Sequence, residues 1–140
     1  FKPSQKGTDV AGALEYFNSA IKKRSICFIL SDFMSSSFEN PLKIASKKHD
    51  VVGLRIYDQR ENNLPNIGLI HMQDNESDKM IFFDTSNKKI RMDFASNRSK
   101  KIKAIQKLFP TSGADLIDID TGNDYVKPLI TFFKNRGKRR

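Results

Sequence analysis

Five apolar residues in unbroken succession, Ile26-Cys27-Phe28-Ile29-Leu30, run straight into Ser31-Asp32. A short apolar run without alternation belongs to a strand buried on both faces, as in parallel sheets covered by helices. Its polar end then emerges at the rim where open α/β sheets bind ligands, beyond the carboxyl ends of the strands. Asp32, with Ser31 beside it, is the first candidate for a functional site. Val51 to Tyr57 repeats the arrangement and ends at Asp58. Two carboxylates are thus expected on one rim, a place for a metal or a polar ligand.

The segments around these strands carry the other period. Val10, Ala13, Leu14, Phe17, Ala20 and Ile21 recur at helical spacing within residues 9–23, with Thr8 or Asp9 placed to cap the first turn. Asn40-Pro41 opens a second helix that runs to Lys48, since proline suits a first helical turn. Strand, helix, strand at this spacing makes a parallel βαβ unit. Ile67–Gln73 and Lys79–Asp84 flank the polar Asp74–Asp78 and read as a hairpin attached to the parallel core. A basic amphipathic helix is expected over Arg98–Phe109, burying Ile102, Ile105, Leu108 and Phe109 and stopping before Pro110. Asp115–Ile119 gives a third parallel strand, and Tyr125–Lys134 a last helix with Val126, Leu129, Ile130 and Phe133 inward. Thr121 and Asp124 lie in the link between them, at the same rim, as caps or as ligands.

At 140 residues the chain suits a single domain that buries roughly 70% of its unfolded surface. It opens on Phe1 and is read as a fragment of a longer product, expected to be soluble because no apolar stretch approaches the eighteen or so residues of a spanning helix. It is expected to be cytoplasmic because a single cysteine suits a reducing compartment, with the parent either soluble or membrane-anchored. Cys27 is the single cysteine and reads as a small buried hydrophobe. His49 at a helix-to-strand junction and His71 in a hairpin strand lack the spacing of a zinc pair.

The net charge of +9 is concentrated in two places. Lys88 to Lys107 is rich in lysine and arginine with Asp93 its only acid, and a basic tail fills 135–140. Lys100, Lys103 and Lys107 share a helix face and could attract nucleic acid, anionic lipid or an acidic protein. The face lacks interleaved aromatics and accompanies no nucleic-acid motif, so a solvated helix face is preferred over nucleic acid.

The combination of Lys6-Gly7-Thr8-Asp9-Val10, Ser31-Asp32-Phe33, Lys48-His49-Asp50-Val51-Val52 and Asp58 through Pro65 resembles the family called domain of unknown function 58, a bacterial branch of the von Willebrand factor type A domains. Phe83-Asp84-Thr85 and Phe132 through Arg136 extend the resemblance over the chain. It implies a truncated, Rossmann-like three-layer α/β fold with three parallel strands, a hairpin insertion and the N-terminal strands missing. It also implies a metal-ion-dependent adhesion site at the rim, in which Thr8 and Asp32 match the threonine and final aspartate. The Asp-x-Ser-x-Ser loop of such sites is absent, with only imperfect echoes such as Asp32 to Ser36 and Asp84 to Lys88.

One carboxylate and one hydroxyl leave most of an octahedral Mg²⁺ shell to water. Weak or no specific metal binding is therefore expected of this chain, with Mg²⁺ a cofactor only of an intact parent site. Asp58 and Glu61 are expected to approach the metal site, to pair with Arg55 or Arg60, or to solvate the turn before Leu64-Pro65. The resemblance implies a non-enzymatic protein-binding module working with a MoxR-type AAA+ ATPase. A Mg²⁺-dependent hydrolase or phosphotransfer domain is the second reading. Loss of the strand beside Ile26–Leu30 would leave an apolar edge through which two copies associate.

Overall fold

The computed structural model describes residues 8–34, 37–73 and 80–137. The elements follow one another as α1 (Val10–Ala20), β1 (Ile26–Ser31), α2 (Glu39–Lys48), β2 (Asp50–Tyr57), a 3₁₀ turn (Gln59–Asn62), β3 (Leu69–Gln73), β4 (Met80–Asp84), α3 (Lys88–Thr111), β5 (Asp115–Asp120) and α4 (Val126–Gly137). Strands β1, β2 and β5 form a parallel sheet in that spatial order, with Ile26 opposite Asp50 and Val52 opposite Asp115. Strands β3 and β4 pair antiparallel, as the sequence indicates, and form a two-stranded sheet of their own beside the three-stranded parallel one. The Asp74–Asp78 turn, Lys79, the Lys6-Gly7 motif and residues 138–140 of the basic tail lie outside the described residues.

Alternation along the strands sends neighbouring side chains to opposite faces, and the helices divide accordingly. On one face Val10 and Leu14 of α1, Leu42 and Ala45 of α2, and Ile105 and Phe109 of α3 pack with Val51 and the half-buried Cys27, Ile29 and Leu116. On the other, Val52, Ile117 and Ile119 meet Leu129 and Phe132 of α4. Among the described residues one face thus carries three helices and the other a single one.

Several expectations need correction. Helix α1 ends at Ala20 because Ile21 turns extended, leaving Ala13, Ala20 and Ile21 exposed while Val10 and Leu14 are buried. Its cap is Asp9, whose Oδ1 accepts the Gly12 N–H at 2.8 Å, and not Thr8. Helix α2 begins at Glu39, so Asn40 and Pro41 sit inside its first turn, where no intrahelical N–H bond is required of a proline.

Helix α3 starts about ten residues before Arg98. Asn87 caps it by accepting the Lys89 N–H at 2.9 Å, and a sparse stripe of Ile90, Phe94 and Arg98 carries the same face into Ile102. Pro110 lies within its last turn. The helix closes two residues later in a Schellman motif, Ala114 N–H donating to the Phe109 carbonyl and Gly113 N–H to that of Pro110, with Gly113 at φ +79°. Only Ile105 and Phe109 are buried; Ile102 and Leu108 are half-buried.

In α4 the inward pair is Leu129 and Phe132, whereas Val126, Ile130 and Phe133 are exposed. Of these three, Phe133 lies with its ring 6.2 Å from that of Phe28 on β1.

Candidate functional site

Because β1, β2 and β5 are parallel, their carboxyl ends meet on one side of the molecule. Ser31 and Asp32 follow β1, Asp58 follows β2, and Asp120 with Thr121 closes β5. The Thr121 N–H donates to the Tyr57 carbonyl at 2.9 Å, which fastens the β5 exit to the β2 exit. Thr8 and Ser31 line one groove of about 300 Å³ between α1 and β1, so the threonine position comes to the β1 end of this rim.

The exit from β1 is conformationally unusual. Phe33 has φ +57°, a left-handed conformation costly for a bulky side chain. Ser31 Oγ accepts the Phe33 N–H at 3.0 Å, and Asp32 Oδ1 accepts the Met34 N–H at 3.1 Å. The Phe33 ring is buried, 4.9 Å from the Phe109 ring and 5.6 Å from that of Phe38. Burial of that ring holds the turn that leaves Asp32 exposed at the rim.

The other rim carboxylates are engaged in loop-building bonds. Asp58 accepts the Arg60 N–H at 2.8 Å and pairs with its guanidinium at 2.6 Å, one of the expected partners. Glu61 pairs instead with Arg98 of α3 at 2.6 Å, not with Arg55 or Arg60, which are taken by Asp118 and Asp58. Asp120 accepts from the Gly122 N–H and the Asn123 amide, and Asp124 accepts the Val126 N–H at the head of α4. Thr121 contributes only its backbone to these bonds; its side chain is exposed. Arg98 is a rim residue whose role sequence reasoning missed. No local motif marks Arg98, since its partner lies 37 positions away.

The Arg60 guanidinium, and after it the Arg60 N–H, hold the Asp58 carboxyl below the usual aspartate range. A depressed carboxyl contributes stability above its unfolded value, near 3.8, and loses it as pH falls through the lower folded value. Arg60→Ala is expected to bring the Asp58 titration, followed by carbon-13 NMR, back toward 3.8. An unchanged titration would show that the pair does not persist in solution. Burial pushes the Cys27 thiol up, in keeping with its place against the core.

The Thr8 hydroxyl and the Asp32 carboxylate are the described oxygens that the implied metal site would use. Mg²⁺ takes six oxygens in near-ideal octahedral geometry, and Asp32 Oδ1 already faces the Met34 N–H. This donor set does not by itself fit a Mg²⁺ cage. His49 ends α2, its N–H donating to the Ala45 carbonyl at 2.8 Å, and its buried ring meets Phe17 edge-on. His71 is exposed on β3 against Phe82. Lys100, Lys103 and Lys107 are exposed on α3, on the side away from Ile105 and Phe109.

The family model described as protein of unknown function DUF58 matches residues 1–104. An uncharacterized protein of Mycobacterium avium is 26% identical over 129 residues, which is 91% of this chain and 76% of the relative. Uncharacterized proteins of Mycobacterium bovis and Mycobacterium tuberculosis show the same identity over the same share of this chain, which spans only 40% of their length. No solved structure matches the chain significantly.

Proposed function

The chain belongs to the DUF58 family, and from that premise we propose that it is a non-enzymatic protein-interaction module of von Willebrand factor A-like, N-terminally truncated architecture. Its carboxyl rim receives the partner, a MoxR-type AAA+ ATPase in a complex that the ATPase assembles or remodels. The observation that carries this reading is the convergence of Ser31, Asp32, Asp58, Thr121 and Asp124 at the ends of parallel strands. Their carboxylates are occupied in shaping loops, so they offer a fixed polar surface in preference to a reactive one. No helix among the described residues is long and apolar enough to cross a membrane.

The test is titration of a purified MoxR-type ATPase with this chain by biolayer interferometry, with and without EDTA. Saturable binding is expected, insensitive to EDTA and weakened about tenfold by Asp32→Arg or Thr121→Arg, as for a charge reversal or intrusion at a docking surface. Absence of binding, or binding indifferent to both substitutions, overturns the proposal. Turnover of generic phosphate esters with Mg²⁺ favours the hydrolase or phosphotransfer reading instead. Adsorption to anionic vesicles or nucleic acid that is lost on charge reversal of Lys100, Lys103 and Lys107 favours the basic-patch reading.

A further inference from the structure

Strand β4 has β3 on one side and, among the described residues, no strand on the other. The Thr85 N–H donates to the Gly68 carbonyl at 2.8 Å, and this pair continues the register in which Ile70 faces Phe83. Bonded and non-bonded pairs alternate in an antiparallel ladder, so Phe83 turns its backbone groups to β3, while Phe82 and Met80 turn theirs to the free edge. The close approach of the Phe82 and His71 rings, 4.4 Å between centres, suits a non-bonded pair, whose side chains lie nearer. The outward carbonyl of Asp84 is already taken by the Asn87 N–H in the turn to α3. Met80–Asp84 holds no lysine and no proline, the usual protections of an exposed edge.

A groove of about 580 Å³ follows this edge. Phe82 and Phe83 both line it, although neighbours on a strand point to opposite faces, so it runs along the side of β4 and not over one face. Its second wall is the first half of α3, with Ile90 and Phe94, and Met34 closes it beside the β1 exit. Phe83, Ile90 and Phe94 are half-buried, and Phe82 is 60% exposed. The α3 wall runs from Asp93 to Lys101, about 12 Å along the helix axis and thus about four residues of extended chain. Arg98 between them is paired with Glu61, whereas Lys101 is exposed and has no ion pair among the described residues.

A strand edge with outward N–H and C=O groups, facing an apolar helix, fits an extended chain added as a third strand. The backbone of that chain bonds to Phe82, and its alternate side chains enter the groove. A helix, whose own backbone groups are already bonded, would leave those of Phe82 unused. We propose that this groove binds an extended segment of another protein by strand addition to β4, with apolar side chains at alternate positions against Phe83, Ile90 and Phe94 and a carboxylate meeting Lys101. Both walls belong to the stretch that links β2 to β5, so the groove does not depend on the β1 edge. None of Ser31, Asp32, Asp58, Thr121 and Asp124 lines it, and the inference stands apart from ATPase docking at the carboxyl rim.

Selection of phage-displayed random dodecapeptides on the immobilised 140-residue chain tests it. Enriched peptides are expected to alternate apolar with polar residues and to carry aspartate or glutamate at one end. The most enriched sequence is then synthesised, labelled and titrated by fluorescence anisotropy. N-methylation of its amides in one alternating phase should abolish binding, and in the other should leave it within about threefold, because only one phase faces β4. The Phe82 amide should exchange with solvent about tenfold more slowly in the complex. Lys101→Glu should weaken binding about tenfold, and replacing the peptide's acid with lysine should restore it. Lys22→Glu, an equal change of charge at an exposed residue of another element, should leave binding within about twofold, and far-UV circular dichroism identifies any variant that loses its fold. No enrichment, a helical pattern in place of alternation, binding that survives methylation in both phases, an unchanged Phe82 amide, or undiminished binding by Lys101→Glu overturns the proposal.

Discussion

Replacing Phe109 with alanine is expected to cost about 3–5 kcal/mol of unfolding free energy, the range for a fully buried large side chain whose cavity collapses only in part. Phe109 is completely buried, its ring against Phe33 and Phe38 from one side. On the other side it lies over the backbone of β2, where a Cβ added to Gly53 would sit 2.3 Å from its Cε1. Gly53 is therefore required by the close approach of a ring and not by an unusual backbone angle. Gly53→Ala alone should cost about 1–3 kcal/mol through overpacking.

In the Phe109→Ala background the same change should cost far less, because the methyl group enters the vacated space. Urea denaturation of the four proteins in a double-mutant cycle checks this, and additive effects would contradict the packing described. Phe109→Ala also removes a wall from Phe33, whose left-handed turn sets the direction of Asp32. Partner binding at the rim should weaken in that variant at temperatures where it remains folded.

The second large effect concerns the ion pair across β2 and β5. Arg55 is buried, and its Nε donates to Asp118 Oδ1 at 2.5 Å while its guanidinium lies 4.3 Å from the centre of the Tyr57 ring. Asp118 Oδ2 accepts the Gln106 amide of α3 at 2.8 Å, and its side chain remains about one-third exposed. Removing one partner of a buried pair strands the other charge.

Asp118→Ala leaves the cation in the less accessible position and should cost about 2–3 kcal/mol, below the value for a fully buried pair because solvent reaches this one. Arg55→Met leaves a carboxylate that water reaches and should cost less, about 1 kcal/mol. The double variant Arg55→Met/Asp118→Leu should approach wild-type stability, since a well-packed apolar pair replaces the ionic one at little net cost. Thermal or urea unfolding at neutral pH orders the three, and Arg55→Met exceeding Asp118→Ala would reverse the assignment.

Ile26–Leu30 and Val51–Tyr57 were legible as strands and fall within β1 and β2. The expected burial of β1 on both faces is corrected: Cys27 and Ile29 pack half-buried under the helices, while Ile26, Phe28 and Leu30 on the other face are exposed, because only α4 lies on that side among the described residues. The full extent of α3 was not legible. Its first half buries no residue completely and draws its register from a cap at Asn87 and from contacts with the 3₁₀ turn, such as Arg98 to Glu61. The inward face of α4 was misjudged for a related reason. Helical spacing offers both Leu129 with Phe132 and Ile130 with Phe133, and the position of the strands beneath selects the first pair.

At the candidate site, residue types and strand ends placed Ser31, Asp32, Asp58, Thr121 and Asp124 together, because parallel strands share a polarity and polar residues closing them must emerge on one side. The roles of their side chains are set by tertiary structure. Arg60 takes Asp58, Arg98 takes Glu61, and the Phe33 ring, locked against Phe109, turns Asp32 outward.

Periodicity and polarity along the chain determined the parallel βαβ core and the side on which its carboxylates gather, since both follow from local patterning and chain direction. Which charges pair and which glycine must stay a glycine were decided only by folding. Those properties depend on atoms far apart in sequence meeting within a few ångströms, a distance that no local pattern encodes.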